Sequence, residues 1–252
     1  MTKLLGNLSL VADLCSQDVD DAFKLMDRHY GNVTRPTFES DLAEKRWIVQ
    51  LRSEASDELC GFSTQMLIDA TVDERPVKVL FSGDTIIDPR YWGDSALMEV
   101  GGKLCLSLID EFPNDELYWF LISAGYKTYR FLPVFFRQFY PRFNEPTPQR
   151  IQRVIDAFSM QKFPERYDGA GVVSSNAQQH RLRQGIADVT SERLQDPHVQ
   201  FFVDRNPRYA SGDELCCLAR LNRDNFTRAA HRILGMKRRD ASAESTAIDH
   251  CA

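Results

Sequence analysis

A short turn between an apolar run and an amphipathic segment is the first place where this sequence suggests chemistry. The run Val79–Ile87 is rich in β-branched residues, and Asp88-Pro89 ends it because proline cannot donate to a β ladder. Gly93 allows a sharp turn, and from Ser95 onward apolar residues recur every three or four positions, as in a helix. A helix that starts at such a turn presents free backbone N–H groups, which suit an anion such as phosphate. The alternative, an ordinary strand–helix connection, stays open.

The signatures of several other chemistries are missing from the sequence. It contains no G-x-S-x-G nucleophile elbow, no Walker A sequence and no H-E-x-x-H motif. The five histidines lack the spacing of metal ligands, so we expect no metal. The six cysteines form no C-x-x-C pair, which is typical of reduced thiols and favours a cytoplasmic location. No apolar run is long enough for a signal peptide or a membrane span, so we expect no transmembrane segment.

Composition indicates an ordinary globular protein with an uneven charge. Of the 252 residues, 43% are hydrophobic and 27% are charged, which is not a disordered composition. Residues 1–141 carry 14 basic and 22 acidic side chains, whereas residues 142–252 carry 17 basic and 14 acidic ones. The acidic first part argues against nucleic acid as a partner and suits an amine substrate.

The elements before the turn follow a definite order. A short apolar strand over Leu8–Leu14 precedes a helix that begins near Ser16, and Thr37–Lys45 is a second helical segment. Next come three β-prone runs joined by short polar turns, which predict an antiparallel meander. These runs are Arg46–Arg52, Leu59–Val72 and Val77–Ile87.

After the central helix, Leu117–Ile122 is a continuous apolar strand that we expect to be buried on both faces. Residues 126–143 then hold eight aromatic residues, several of them at helical spacing. Two interpretations remain open for these rings. They pack the core between the sheet and the C-terminal part, or some of them line a pocket for a long acyl chain or an aromatic substrate.

The remaining chain predicts a mainly helical C-terminal extension. A Pro-rich linker near residues 145–148 separates residues 1–146, one domain, from residues 147–235, which we expect to pack on it. Within the extension, Leu215–Leu221 is a strand candidate that could join the main sheet. Residues 236–252 are polar and are expected to be disordered. The fold class is therefore α/β in the α+β sense.

The segment Val79–Phe112 resembles the acyl-CoA-binding motif of the GNAT superfamily of N-acyltransferases. That motif is a bulged strand, roughly V-x-P-x-Y-R-G-x-G-x-G/A, and a helix. The sequence keeps Ile87-Asp88-Pro89-Arg90-Tyr91 and Gly93, and a shifted frame keeps a weaker R-x-x-G-x-(G/A) match. The motif is degenerate at Trp92, where arginine is usual, and Asp94 puts a negative charge where a pyrophosphate would approach. The resemblance covers about residues 8 to 143.

The resemblance implies a mixed, mostly antiparallel central sheet flanked by helices. The strand after the central helix would run parallel to the bulged strand and splay from it, which leaves a cleft for a pantetheine arm. The backbone of Ile86 and Ile87 would hold that arm, the N–H groups of residues 92–96 would hold the pyrophosphate, and Arg90 would add charge. The implied cofactor-binding residues are Ile86, Ile87, Arg90, Tyr91, Trp92, Gly93, Asp94, Ser95 and Ala96.

The same resemblance implies catalytic roles for three side chains. Asp84 follows Gly83 on the bulged strand and would act as a base or an amine anchor; alternatively it only bonds nearby backbone at the bulge. Tyr126 would protonate the leaving thiolate, with Tyr129 as its substitute, and the alternative for either tyrosine is simple packing.

The sequence thus predicts an N-acyltransferase that moves an acyl group to an amine by direct attack. The donor would be acyl-CoA as co-substrate, or an acyl carrier protein, and the acyl group could be a long chain. The acceptor would be a small amine or an amino-lipid, and no cofactor would be bound permanently. The rival hypothesis is a non-catalytic GNAT-like domain for ligand binding or protein interaction. A third hypothesis makes the C-terminal half a separate binding domain.

Overall fold

The computed structural model describes residues 3–176, 181–183, 185–186 and 188–236. The strands are β1 (Leu4–Leu10), β2 (Tyr30–Gly31), β3 (Trp47–Ser53), β4 (Leu59–Val72), β5 (Arg75–Ile87), β6 (Glu116–Ser123), β7 (Val172–Val173), β8 (Arg181–Leu182) and β9 (Glu214–Arg220). The α-helices are α1 (Ser16–His29), α2 (Arg35–Ala43), α3 (Ala96–Glu111), α4 (Tyr126–Tyr129), α5 (Phe131–Phe135), α6 (Gln149–Lys162), α7 (Pro197–Arg205) and α8 (Arg228–Ile233). Of the predicted polar tail, residues 237–252 lie outside this description.

A seven-stranded mixed sheet in the order β1-β3-β4-β5-β6-β9-β7 organises the chain, and β2 pairs with β8 separately. The pairs β1–β3, β3–β4 and β4–β5 are antiparallel, which confirms the predicted meander. Strand β6 runs parallel to β5, and β9 runs antiparallel to β6. The mixed, mostly antiparallel sheet that the sequence predicted is therefore present.

The first strand differs most from its prediction. It spans Leu4–Leu10 rather than Leu8–Leu14, and it pairs with the whole of β3. Only Leu4 of this edge strand is buried, so its apolar residues do not mark a buried face. Val11–Asp13 forms a 3₁₀ turn, and Cys15 with Asp18 then forms a capping box that starts α1.

The two faces of the sheet are covered by different helices because successive strand residues point to opposite sides. Val79 and Phe81 pack with α6 residues, whereas Leu80 between them packs with α3. Helices α1 and α2 cover the β3–β4 end of the α6 face through Ile48 and Phe62. The face shared by α1, α2 and α6 is called the α6 face below, and the opposite one, covered by α3, α5, α7 and α8, is called the α3 face.

The C-terminal part contributes directly to the central sheet. Strand β9 pairs with β6 from Tyr118↔Arg220 to Ser123↔Leu215, so the strand candidate does join the main sheet. On the α3 face, Phe226 packs against Phe136 with ring centroids 5.4 Å apart. Both parts therefore share one hydrophobic cluster. No helix among the described residues is long and apolar enough to cross a membrane.

Cutting the chain after residue 146 is expected to prevent folding. The cut removes β9 and leaves β6, a strand with six of its eight residues apolar, as an open edge that would aggregate. Expression and thermal denaturation of residues 1–146 should show insoluble or non-cooperative protein, while a chain ending at residue 236 stays folded. Cooperative unfolding of residues 1–146 would instead support a separate N-terminal domain.

Candidate functional site

The central strands β5 and β6 separate partway along their length. Their parallel pairing runs from Val77↔Glu116 to Ser82↔Leu121 and then ends, although β5 continues to Ile87. At this point β5 also has an extra residue, because its pairing with β4 passes from Gln65↔Ser82 to Ser63↔Thr85. Gly83 and Asp84 thus lie opposite the single residue Thr64, which is the geometry of a β-bulge.

Close packing explains why glycine stands at the bulge. A Cβ atom on Gly83 would lie 2.7 Å from Thr64 Oγ1 and 2.8 Å from Lys45 Cε. The Lys45 side chain is only 1% exposed, and its ammonium donates to the carboxylate of Asp41 at 2.7 Å and to the Asp41 carbonyl at 2.9 Å. A buried lysine, paired with a partly exposed aspartate, therefore lies directly beside the bulged strand.

The separated strands open a cleft of about 720 Å³. Its walls include residues 83–87 of β5 and Ile122 of β6. Lining residues come from both faces of the sheet, with Lys162 at the end of α6 on one side and Met98 of α3 on the other. The cleft therefore crosses the sheet, so two substrates could enter from opposite faces and meet at the bulge.

On the α6 face, two carboxyl groups line the cleft close to each other. Asp84 lies at the bulge and Glu214 lies at the start of β9. Burial and the charge of Asp84 raise the pKa of Glu214 to about 7, against the lowering effect of Arg166, 3.6 Å away. Burial, with both carboxylates, also raises the pKa of the nearby Tyr30. Glu214 can therefore take up and release a proton near neutral pH.

The two tyrosines predicted as acids lie in different environments. Tyr126 begins α4 and lines the cleft. Tyr129 is fully buried, and its hydroxyl donates to the Pro141 carbonyl at 2.9 Å. Its ring packs against Phe202 and His198, and burial raises its pKa. The structure brings Tyr126 to the cleft and leaves Tyr129 in the core.

The loop between β5 and α3 is closed by its own hydrogen bonds. Asp88 accepts from the Arg90 guanidinium at 3.0 and 2.9 Å, and this ion pair holds the pKa of the Asp88 carboxyl below its usual value. Asp94 accepts from the Ala96 N–H at 2.7 Å, so its carboxylate already occupies the start of the helix. Three of the five N–H groups predicted to hold a pyrophosphate, those of Trp92, Asp94 and Ala96, are thus bonded to the chain itself.

The nine residues predicted to bind the cofactor divide between the cleft wall and other places. Six of them line the cleft: Ile86, Ile87, Trp92, Gly93, Asp94 and Ser95. Arg90, Tyr91 and Ala96 are not among the lining residues. Ala96 is buried against β3, and Arg90 extends outward to Asp88 and Glu58.

The aromatic segment contributes both to the core and to a cavity. Phe131, Phe135 and Phe136 line an apolar cavity of about 50 Å³ that adjoins the cleft on the α3 face. Phe139 packs with Tyr129 in the core, and Phe143 is exposed. Some of these rings therefore pack the core and others line a cavity, whose ligand stays a prediction.

A chain of buried hydrogen bonds forms the sheet side of this cavity. Trp119 Nε1 donates to Ser82 at 2.6 Å, and Ser82 donates to Gln65 at 2.7 Å. Gln65 donates to Ser63, which bonds Thr85. Since these groups bond one another, they fix the shape of this side of the cavity.

Sequence reasoning missed Glu214, Lys45 and Lys127 as cleft residues. Lys127 Nζ lies 3.0 Å from the centroid of the Trp92 ring. Their only signal is a charged residue beside an apolar run, such as Glu214 before Leu215, and that pattern is common at strand ends. Among the described residues, no group of three or more His, Cys, Asp or Glu side chains is placed to hold a metal ion.

The sequence matches no protein-family profile and no curated protein. Among solved structures, it is similar to a protein of unknown function from Enterococcus faecalis, named a probable N-acyltransferase, with 12% identity and a TM-score of 0.41 over 54% of this chain and 33% of that one. A GCN5-related N-acetyltransferase from Kribbella flavida shares 15% identity, with a TM-score of 0.39 over 54% and 34% of the two chains. A GNAT family N-acetyltransferase from Escherichia coli, in complex with CoA, shares 12% identity, with a TM-score of 0.38 over 52% and 68%.

In the first two comparisons, the matched region spans about one third of the other protein. The fold is identified by this chain's own topology rather than by these partial likenesses. A strand and two helices lead into an antiparallel meander, the last strand of the meander is bulged, and a parallel strand splays from it after the helix. The chain therefore has the mixed, mostly antiparallel sheet flanked by helices, with a splayed parallel strand, that the resemblance to the GNAT superfamily predicts.

Proposed function

We propose that the protein is an N-acyltransferase that transfers an acyl group from a pantetheine thioester to an amine. The observation that carries this proposal is the cleft that crosses the sheet at the bulge, with Glu214 of near-neutral pKa beside it. A thioester on one face and an amine on the other could meet there without a covalent enzyme intermediate.

In this reaction, the amine nitrogen attacks the thioester carbonyl carbon. Glu214 accepts the proton that the attacking amine loses, because a carboxylate with a pKa near 7 is a suitable base at neutral pH. Burial is the main reason for the raised pKa of Glu214, and the charge of Asp84 raises it further. Asp84 would also attract the ammonium form of the acceptor, which loses its first proton to solvent. As the C–S bond breaks, Tyr126 gives a proton to the leaving thiolate.

Backbone groups of the bulged strand complete the proposed site. Ile86 and Ile87 pair with β4 on one side, and on the other side β6 no longer pairs with β5. Their outward backbone groups can therefore bond the amides of a pantetheine arm. An N–H at Gly83 or Asp84, where the bulge interrupts the ladder, would donate to the oxyanion.

The acceptor end of the cleft favours a small polar amine over an amino-lipid. Asp41, Lys45, Asp84, Arg166 and Glu214 all line this end, so it is strongly charged. An aliphatic tail would have to desolvate these groups without replacing their hydrogen bonds.

The donor end favours a short acyl group over the long chain that the aromatic segment suggested. The apolar cavity beside the bulge has about 50 Å³, roughly a third of the 150 Å³ cavity size known to hold benzene. Phe135 and Met98 stand between this cavity and the cleft, since they line both.

A non-catalytic binding domain remains the second candidate, and the β5–α3 loop favours it. Asp94 occupies the helix start and Arg90 is tied to Asp88, so the loop is poorly suited to a pyrophosphate. Thermal denaturation with CoA and acetyl-CoA separates the candidates, because a ligand at 100 times its dissociation constant stabilises the fold by about 2.7 kcal/mol. No shift with either ligand, together with no acyl transfer from a carrier protein, would favour the second candidate.

The pH dependence of the reaction is expected to follow Glu214. kcat/KM should rise as the pH increases through about 7, because the base acts only when deprotonated. Glu214→Gln should lower kcat/KM about 10²–10⁴-fold. Asp84→Asn should move the midpoint to lower pH, since it removes a charge that raises the pKa of Glu214. Glu99→Gln, at an exposed residue that does not line the cleft, is the control and should leave the pH profile unchanged. A pH profile unchanged in Asp84→Asn would exclude the proposed coupling.

The raised pKa of Glu214 also predicts a stability effect that does not depend on catalysis. A carboxyl group whose pKa rises from 4.5 to about 7 on folding stabilises the fold below pH 4.5, and this contribution disappears as the pH rises through about 7. The loss amounts to about 3 kcal/mol. Urea unfolding at pH 5 to 8 should show a flatter pH dependence for Glu214→Gln than for the wild type. Parallel curves would mean that Glu214 is not buried in its neutral form.

Acyl-chain length is the third expectation from this site. Initial rates with acetyl-, butyryl-, octanoyl- and palmitoyl-CoA should fall as the chain outgrows the cavity. Phe135→Ala should shift the preference toward longer chains by about tenfold, since it opens the cavity into the cleft. Phe143→Ala, which removes an exposed ring outside the cavity, should keep the wild-type order. A wild-type preference for palmitoyl-CoA would contradict the short-chain assignment.

A further inference from the structure

The β5–α3 loop presents no cation to the cleft. Arg90 is its only basic residue, and it is not among the residues that line the cleft. Its guanidinium bonds Asp88 and reaches Glu58 at 3.5 Å. Trp92 stands where the resembling motif has arginine, and Asp94 adds a carboxylate. A phosphate at this loop would therefore meet a net negative charge unless another element supplies a cation.

The facing wall supplies that positive charge. Lys127 and Arg130 lie in and just after α4, and Arg193 lies in a 3₁₀ turn before α7. All three line the same cleft as residues 92–95. Arg130 pairs with Asp196 at 3.3 Å, whereas neither Lys127 nor Arg193 forms an ion pair with a described carboxylate. Burial and the charge of Arg193 lower the pKa of Lys127, while the carboxylate of Asp188 acts in the opposite direction, so all three charges lie near one another.

Lys127 reaches across the cleft to the loop itself. Its Nζ lies 3.0 Å from the centroid of the Trp92 ring and donates to the Ile186 carbonyl at 2.8 Å. The Trp92 ring is in turn fixed by a hydrogen bond from Nε1 to the Ile87 carbonyl at 2.9 Å. An ammonium group has three donors, so Lys127 keeps donors for a ligand in the cleft. The tryptophan thus holds a lysine where the motif would carry its own arginine.

We propose that Lys127 and Arg193 bind the phosphate of the donor's pantetheine arm, and that Trp92 positions Lys127 for this role. An anion between the two cations relieves their repulsion and makes charge-assisted hydrogen bonds, which are the strong ones. The arm held along Ile86 and Ile87 leads to this end of the cleft, since residues 92–95 also line it. The inference rests on the proposed function, because a pantetheine thioester must be the donor.

Binding of three unreactive probes tests the inference: CoA, 4′-phosphopantetheine and pantetheine, which differ in their phosphates. Isothermal titration of the full-length wild type should give tighter binding of the two phosphate-bearing probes. Lys127→Gln and Arg193→Gln should each weaken those two about tenfold and leave pantetheine unchanged. Lys127→Arg should keep most of the affinity, because it keeps the charge. Lys103→Gln, an exposed lysine paired with Glu99 on α3, is the matched control.

The outcomes separate the inference from the proposed function. Equal weakening of all three probes in Lys127→Gln, or no weakening of any, would overturn the phosphate assignment. If the wild type binds neither pantetheine nor CoA, both the proposed donor and the phosphate assignment are wrong. If the assignment holds, equal affinity for CoA and 4′-phosphopantetheine would mean that only the phosphate attached to pantetheine contributes to binding. A carrier protein presents the same single phosphate on its arm. Tighter binding of CoA would indicate a contribution from the rest of the nucleotide.

Discussion

The separation of β6 from β5 after Ser82 and Leu121 determines the rest of this structure. Two parallel strands in a sheet normally continue to bond until one of them ends, and here both continue without bonding. The extra residue in β5 changes its local twist at this point, because Gly83 and Asp84 face the single Thr64. Space for the bulge exists only because residue 83 has no side chain, since Lys45 and Thr64 fill the position of a Cβ. The close approach of the buried Lys45 side chain to the bulge therefore depends on glycine at position 83.

The charges in the cleft are distributed in a way that suits two different ligands. Near the bulge on the α6 face, the carboxyl groups of Asp41, Asp84 and Glu214 lie among the cations Lys45, Lys162 and Arg166. Burial raises the pKa of Glu214 to about 7 there. Cations dominate the opposite end, where Lys127 and Arg193 face the β5–α3 loop. An anionic phosphate arm would therefore be attracted to the end that carries Lys127 and Arg193, while the mixed charges near the bulge suit a small polar acceptor.

Local sequence patterns predicted much of the fold, and the predictions that were wrong concern segments without such a pattern. The meander, the long helix after it and the strand β9 are marked by apolar periodicity and by turn residues such as Asp88-Pro89. Gly83 marked the bulge for the same reason, since a lone glycine in a β-prone run is informative. Strand β1 was misplaced by four residues because only Leu4 of it is buried, so hydrophobicity does not define its register.

The candidate site was less predictable because its residues meet only in three dimensions. Asp84 and Glu214 are 130 positions apart, and nothing in the sequence pairs them. What brings them together is the antiparallel pairing of β9 with β6, whose end, Ser123↔Leu215, places Glu214 at the open side of β5. Tyr126 and Tyr129 show conversely that residues close in sequence can lie in different environments. Three residues apart on one short segment, they share a sequence environment, yet one lines the cleft and the other bonds a core carbonyl.

The degenerate loop need not mean that donor binding was lost, because charge can move between elements that face each other. Compared with the sequence motif, Trp92 stands at a position where arginine is usual. In the folded chain, the Lys127 ammonium lies over the Trp92 ring, 3.0 Å from its centroid. A positive charge is therefore present beside residue 92 although residue 92 itself carries none. Asp94 accepts a hydrogen bond from the Ala96 N–H at the start of α3. It also lines the same cleft as Trp92 and the cations of α4, Lys127 and Arg130. In this cleft, the positive charge near the β5–α3 loop comes from the facing wall and not from the loop itself.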